Sequence, residues 1–137
     1  MLNRFSSLIG RKILILGDSD QIACLLRDVF VSCGAGVTTV STGLAAIVRL
    51  EAGCYDLVIL DLASSRPDGW DVVCFMRRLR PGLLGRTILL TGDFHRPQTM
   101  RAIRNTHLPV IFKPFDVEKL RATACKLLCR NGALPAA

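Results

Sequence analysis

Short apolar runs and longer amphipathic stretches alternate along this chain. Five runs predict β-strands, at 12–16 (KILIL), 37–40 (VTTV), 56–60 (DLVIL), 87–90 (TILL) and 109–112 (PVIF). Four of these runs are unbroken, which is typical of parallel strands buried on both faces, whereas VTTV is typical of an edge strand. The runs therefore predict one sheet whose central strands are fully covered.

Helical patterns fill the gaps between the runs. Apolar residues recur at three- and four-residue spacing in 22–30, 44–48, 72–79 and 117–128, and a more polar helix is predicted at 96–105. Thr42 and Asp116 stand at expected N-caps, and Pro81 with Gly82 is expected to end the third helix. Because parallel strands need right-handed crossovers, the pattern predicts an α/β domain of five β–α units around a parallel sheet.

Length and composition indicate one globular domain without a membrane span. The chain has 137 residues, 50% of them hydrophobic, enough to bury a single core. The longest uncharged run, 29–48, is broken by glycine, serine and threonine, and the N-terminus lacks a secretory signal. We therefore expect a cytoplasmic protein with an N-terminal extension at 1–11, a domain at 12–130 and a C-terminal tail at 131–137.

The six cysteines do not form a recognisable metal site. They contain no CxxC pair and have no histidine at zinc-ligand spacing. Cys125 and Cys129 are four residues apart on a predicted helix, but such residues are more often small apolar side chains in a reducing compartment. We expect neither a metal-binding nor a redox role for them.

Polar residues follow the apolar runs at the predicted strand ends. Asp18 follows the first run, Asp61 the third, Thr91 the fourth and Lys113 the fifth. The carboxyl ends of parallel strands meet at one edge of a sheet, where ligands bind. Carboxylates that converge there need cations, which Lys113 and an oxygen-preferring ion such as Mg²⁺ would supply. An aspartate beside these groups and a hydroxyl is suited to accept a phosphoryl group, so Asp61 is the candidate nucleophile.

The segments around these residues resemble the receiver domain of two-component response regulators. The matching segments are KILILGDSD, YDLVILDLASSRPDGWDVV, ILLTGD and LPVIFKPFDVEKL, in this order and over 12–130. The resemblance implies a flavodoxin-like, CheY-like doubly wound fold with strand order 2-1-3-4-5. It also implies a regulatory domain rather than an enzyme, one that at most catalyses its own phosphotransfer and dephosphorylation.

The same resemblance assigns roles to individual residues. Asp61 would be the phosphoacceptor, Thr91 the switch hydroxyl and Lys113 the contact to the phosphoryl group. Mg²⁺ would be held by Asp18, Asp61 and the backbone carbonyl of Ala63. A cis peptide bond is implied between Lys113 and the proline that follows it.

Partners follow from the resemblance as well. The phosphoryl donor would be a sensor histidine kinase or a histidine phosphotransfer protein in a phosphorelay. Phosphorylation would switch the face formed by the fourth and fifth predicted helices, through a population shift between two packings. No output domain is apparent in these residues, so either the signal passes to a downstream protein or the chain is a fragment of a longer protein. A homodimer is also compatible with the family.

Two departures from the family pattern keep a second interpretation open. Gly17 stands where the first of two adjacent acids is usual, which removes one ligand and predicts weak Mg²⁺ binding. Val110 stands at the position of the usual switch aromatic. The alternative is a degenerate receiver that acts as a protein-binding module without phosphorylation.

Asp18 also allows two other interpretations. Considered alone, Asp18 would serve equally well as the N-cap of the first helix. Together with Asp20 it resembles the DxD motif of haloacid dehalogenase-type phosphatases, with Asp18 as nucleophile and Asp20 as general acid–base. Against that interpretation, Ile22 replaces the expected threonine or valine, no strand follows the fifth run, and Asp61 would have no role.

The basic charge lies mainly in the last third of the chain. The net charge is +7 overall, and residues 94–137 carry eight basic and two acidic side chains, a net of +6. No nucleic-acid recognition motif accompanies these charges, so direct nucleic-acid binding is not expected. We expect instead that an acidic surface of a downstream protein docks on the basic segment 94–130, steered by charge.

Overall fold

The computed structural model describes residues 5–17, 19–62, 68–92 and 96–130. The predicted tail at 131–137 and the first four residues of the predicted extension lie outside the described residues. The elements in chain order are β1 (Lys12–Leu16), α1 (Asp20–Val31), β2 (Gly36–Val40), α2 (Gly43–Ala52), β3 (Leu57–Asp61), α3 (Asp68–Leu79), α4 (Pro81–Leu84), β4 (Thr87–Thr91), α5 (Pro97–Thr106), β5 (Val110–Phe112) and α6 (Val117–Arg130). Every predicted strand and helix is therefore confirmed, with small differences at the ends.

The strands form one parallel sheet in the order β2-β1-β3-β4-β5. This order confirms the predicted doubly wound fold and puts β2, which contains the VTTV run, at one edge of the sheet. Strand β2 lies on one side of β1, and β3, β4 and β5 follow on the other side, so the switch point of the strand order is between β1 and β3. In doubly wound folds, ligands bind outside the carboxyl ends of the strands at such a switch point, so the fold predicts a ligand site at that edge of the sheet.

Two hydrophobic layers cover the two faces of the sheet. Ile13 and Ile15 of β1 enter the layer of α1 and α6, whereas Leu14 and Leu16 enter the layer of α2, α3 and α5. Side chains alternate between the faces of a strand, so a strand covered on both faces must be apolar at every position. This packing is the physical reason for the unbroken apolar runs.

Side chains cap three helices. The Thr42 hydroxyl accepts a hydrogen bond from the Ala45 N–H (3.1 Å), and the Asp116 carboxylate accepts one from the Glu118 N–H (2.9 Å), as predicted. The N-cap of α1 is Ser19, whose hydroxyl accepts from the N–H of Ile22 (3.3 Å). The cap of α1 is therefore provided by a residue other than Asp18, which itself lies outside the described residues.

Among the differences from the prediction, the start of β3 and the helix α4 have a clear physical cause. Strand β3 begins one residue later than predicted because the Asp56 carboxylate accepts a hydrogen bond from the Lys12 N–H (2.8 Å) at the entrance of β1. Pro81 follows the end of α3, as predicted, but it also begins the one-turn helix α4, which the pattern did not predict. Proline fits the first turn of a helix, where its missing N–H is not needed.

The segment before β1 packs against the domain. A 3-10 turn at Ser6–Leu8 buries Leu8 completely in the layer of α1 and α6. The Phe5 ring lies 5.6 Å from the guanidinium carbon of Arg121 on α6. Within the described parts of the chain, no helix is both long and apolar enough to cross a bilayer.

Candidate functional site

Asp61 and Lys113 form an ion pair at the carboxyl edge of the sheet. The Lys113 Nζ atom lies 2.7 Å from Oδ1 of Asp61, and the Asp61 side chain is fully buried while that of Lys113 is 25% exposed. Burying a carboxylate is costly unless a cation or hydrogen bonds compensate its charge. Lys113 therefore provides a positive charge beside the buried carboxylate of Asp61.

The backbone hydrogen bonds of three adjacent strands place these side chains. The Leu62 N–H donates to the carbonyl of Leu90 (2.7 Å), and the Lys113 N–H donates to the carbonyl of Thr91 (2.9 Å). The peptide bond between Lys113 and Pro114 is cis, as the resemblance implied. Asp61, Thr91 and Lys113 are thus held at neighbouring strand ends.

Thr91 is the last residue of β4 and is fully buried. In the register of the sheet, Asp61 is opposite Leu90, and Thr91 is opposite Phe112. The hydroxyl-bearing residue therefore lies one position beyond Asp61 on the adjacent strand. The structure thus brings three of the five predicted site residues to one edge, while Asp18 and Ala63 lie outside the described residues.

Position 17 has no room for a side chain. A Cβ atom on Gly17 would lie 2.9 Å from the Cβ atom of Ala23 and 3.2 Å from its Cα atom. The N–H of Gly17 donates to the carbonyl of Val40 (3.1 Å), which holds the end of β1 beside β2. The first turns of α1 therefore lie against the residue that would carry the additional acid, a contact that no local pattern in the sequence indicates.

The donor atoms at this edge suit Mg²⁺ only in part. Asp61 supplies a carboxylate, and hard oxygen ligands are those that Mg²⁺ prefers. Gly17 offers no side-chain ligand, and no cluster of three acidic, histidine or cysteine side chains able to hold a metal occurs among the residues that the structure describes. Among the described residues, Asp61 is therefore the one predicted Mg²⁺ ligand at this edge, while the other two predicted ligands, Asp18 and Ala63, lie outside the described residues.

Phe112 is a neighbour of the site that the sequence pattern did not indicate. It follows Val110 by two residues in β5, so both side chains emerge from the same face of the strand. Val110 is half-buried against the layer that contains Ile103 of α5, whereas Phe112 is 37% exposed and lies opposite Thr91. The strand thus carries an aromatic side chain beside Thr91, two positions later than the pattern suggested.

The start of α3 lies close to the segment that follows Asp61. A Cβ atom on Gly69 would lie 2.5 Å from Cδ2 of Leu62, so a larger residue at position 69 would require the Leu62 side chain to move. Trp70, the next residue, is half-buried against the same hydrophobic layer. Because Leu62 adjoins Asp61, Trp70 is well placed to report changes at the site.

Comparison with known proteins agrees with this geometry. The sequence model of the response regulator receiver domain matches residues 13–124. The chain is 28% identical over 126 residues to the transcriptional regulatory protein TcrA of Mycobacterium tuberculosis, across 92% of this chain and 49% of that protein. It is 28% identical over 124 residues to the transcriptional regulatory protein CusR of Escherichia coli, across 90% of this chain and 53% of that protein. The chain spans about half the length of these two relatives.

A solved structure supports the same fold. The signal receiver domain of a signal transduction histidine kinase from Syntrophus aciditrophicus superimposes with a TM-score of 0.80 at 24% identity, covering 93% of this chain and 97% of that chain. At this level of identity the likeness concerns the fold. The family match extends over most of the chain. This chain therefore belongs to the response regulator receiver domain family.

Proposed function

We propose that this receiver domain accepts a phosphoryl group on Asp61 from the phosphohistidine of a sensor histidine kinase or of a histidine phosphotransfer protein. The observation that carries the proposal is the 2.7 Å contact between Lys113 Nζ and a carboxylate that is fully buried at the end of β3. A buried carboxylate at a ligand-binding edge is costly for the fold, which favours a functional role for it. The domain is regulatory, acting within the cytoplasm.

The transfer is a displacement at phosphorus. A carboxylate oxygen of Asp61 attacks the phosphorus atom, the new O–P bond forms as the N–P bond breaks, and the electron pair returns to the donor imidazole. Lys113 then shifts from the carboxylate to an oxygen of the transferred group, so its charge remains compensated. Thr91 moves toward the phosphoryl group and donates its hydroxyl hydrogen to another phosphoryl oxygen. This movement of Thr91 starts the conformational switch.

Mg²⁺, when bound, supplies further compensation for the charge of the phosphoryl oxygens. Asp18, Asp61 and the backbone carbonyl of Ala63 would hold it. Gly17 leaves this set with one carboxylate fewer than is usual in the family. The affinity for Mg²⁺ is therefore expected to be low, and Lys113 bears a larger share of the charge compensation.

The output of the switch is a face made by α5 and α6, the fourth and fifth predicted helices. Arg101 and Arg104 of α5 and Lys119 and Lys126 of α6 are exposed. Asp116 and Glu118 are the two acids of residues 94–137, and both lie at the start of α6, where Asp116 caps the helix and Glu118 pairs with Arg121 at 3.0 Å. The remaining surface of the face is basic and suits an acidic downstream protein.

The test is phosphotransfer from a phosphorylated histidine kinase, with beryllofluoride as a stable mimic of the phosphoryl group. We expect a hydroxylamine-sensitive label on the wild-type chain and a change of Trp70 fluorescence when beryllofluoride and Mg²⁺ are added. Asp61→Asn should abolish both signals, whereas Asp71→Asn, a matched change at an exposed residue of α3, should preserve them. Label that persists in Asp61→Asn would exclude Asp61 as the acceptor.

The contact between Gly17 and Ala23 favours a second candidate function. A receiver without the first acid can serve as a protein-binding module that is never phosphorylated. In that case the wild-type chain would show neither label nor fluorescence change, and partner binding would be identical in the wild type and Asp61→Asn. The same experiment therefore separates the two candidates.

A further inference from the structure

A cavity of about 380 Å³ lies at the amino end of β5, at the other edge of the sheet from the one that carries Asp61. It is lined by His107, Leu108, Pro109, Thr123, Lys126 and Leu127. The first three residues precede β5, and the other three lie in the middle of α6. Since Asp61 and Lys113 lie at the carboxyl ends of their strands, this cavity at the amino end of β5 is separate from the candidate phosphorylation site.

The lining combines an apolar wall with cationic and polar groups. Leu108, Pro109 and Leu127 form the apolar part, and none of the six lining residues is acidic. The Thr123 hydroxyl donates its hydrogen to the carbonyl of Lys119 (2.8 Å), which leaves Lys126 and His107 as the donors for a ligand. Lys126 is exposed and has no ion pair with any residue in the described part of the chain.

The second observation is the backbone conformation of His107. His107 has φ 59° and ψ 18°, the left-handed conformation, and is the one non-glycine residue with positive φ among the described residues. It ends α5 by donating its N–H to the carbonyl of Arg104 (3.2 Å). Glycine or asparagine makes this helix end with less strain than histidine. His107 thus ends α5 through its backbone, and its side chain is left to line the cavity.

We propose that this cavity binds an aspartate or glutamate side chain of an acidic partner segment, with the carboxylate at Lys126 and His107 and an adjacent apolar side chain on Leu108, Pro109 and Leu127. The inference deepens the proposed function, because it rests on the docking of an acidic protein on the basic face of α5 and α6. The surrounding positive charge steers such a segment, and the cavity gives it a defined anchor. Phosphorylation of Asp61 is not required for this contact.

The probe is the capped dipeptide acetyl-leucyl-glutamate amide, titrated into the ¹⁵N-labelled full chain and followed by NMR. We expect saturable shifts of the Leu108, Thr123 and Leu127 amide signals. The neutral match, acetyl-leucyl-glutamine amide, should bind about fivefold more weakly because it loses one partly exposed ion pair. Equal affinities for the two dipeptides, or no shifts at these amides, would overturn the proposal.

Three variants test whether the preference for the acidic dipeptide arises in the cavity. Lys126→Met keeps the length of the side chain and should remove the preference for glutamate over glutamine. His107→Asn suits the left-handed backbone and should weaken the binding of the acidic dipeptide without unfolding the chain. Lys119→Met removes a matched charge from the same helix outside the cavity and should leave the preference intact. A loss of preference in Lys119→Met equal to that in Lys126→Met would show a diffuse charge effect and overturn the proposal.

Two further titrations distinguish the peptide-binding proposal from a plain anion site and from the phosphoacceptor proposal. Inorganic phosphate that moved the same signals as strongly as the acidic dipeptide would make the cavity a plain anion site, and the peptide proposal would be wrong. Asp61→Asn should bind the dipeptide like the wild type. The phosphoacceptor proposal therefore fails or succeeds in the phosphotransfer experiment, and the cavity proposal does so in the titration.

Discussion

Ala23 lies so close to Gly17 that a Cβ atom on residue 17 would be 2.9 Å from its Cβ atom. The position of the absent acid is thus filled by the first turns of α1. Gly17→Asp should destabilise the fold by about 2 kcal/mol, because overpacking forces the helix to move. In an Ala23→Gly background the same substitution should cost about 1 kcal/mol less, since the opposing methyl group is gone.

Urea unfolding of the wild type, both single variants and the double variant completes a double-mutant cycle. Ala23→Gly alone should cost about 1 kcal/mol from its lower helix propensity. Costs that simply add would show that the two residues do not share this space. Magnesium titration of the double variant, followed by calorimetry, should give tighter binding than the wild type, with Ala23→Gly alone unchanged.

Removing the cation of the buried ion pair should destabilise the domain. Lys113→Met leaves the Asp61 carboxylate buried without that partner and should cost about 2 kcal/mol, a value reduced by the partial exposure of Lys113. Asp61→Asn combined with Lys113→Met should recover much of this loss. Urea unfolding at neutral pH measures both, and Lys119→Met, at an exposed site, should stay within about 0.5 kcal/mol of the wild type. Equal losses in the single and double variants would contradict this account of Lys113.

Phe112 should couple the site to α5. Phe112 pairs with Thr91 in the register of the sheet and lies on the same strand face as Val110. We therefore expect a movement of Thr91 to reach α5 through this aromatic residue. In Phe112→Ala, beryllofluoride should still change Trp70 fluorescence, but the shifts of the Arg101 and Arg104 amide signals should fall by about half or more. Val110→Ala is the matched control and should lower these shifts less. Identical shifts in the wild type and Phe112→Ala would rule out this coupling.

The segment before β1 should contribute to the stability of the domain. Leu8 is fully buried in the layer of α1 and α6, whereas the adjacent Ile9 is 60% exposed. Leu8→Ala should cost about 3 kcal/mol from lost burial and the cavity left behind. Ile9→Ala should change the free energy of unfolding by less than about 1 kcal/mol. Chemical denaturation compares the two variants directly, and a small loss for Leu8→Ala would show that this segment does not belong to the folding unit.

The fold was predictable from the sequence because its signals are local. A strand buried on both faces must be apolar at every position, and runs such as KILIL express this directly. The caps at Thr42 and Asp116 follow from a single side chain and the helix start beside it. The one-turn helix α4 was missed because four residues are too few to show a helical period, and β3 was misplaced by one residue because Asp56 is engaged with Lys12 of another strand.

By itself, the sequence determined the α/β class, the parallel sheet and the strand ends at which Asp61, Thr91 and Lys113 lie, since periodicity and connection length act within short segments. Only the tertiary structure decided that the Lys113 ammonium reaches the buried Asp61 carboxylate, that Ala23 fills the space beside Gly17, and that His107 and Lys126 line one cavity. These contacts join residues from different elements. They depend on how closely whole helices and strands pack, to within fractions of an ångström, and no local pattern of residues encodes that distance.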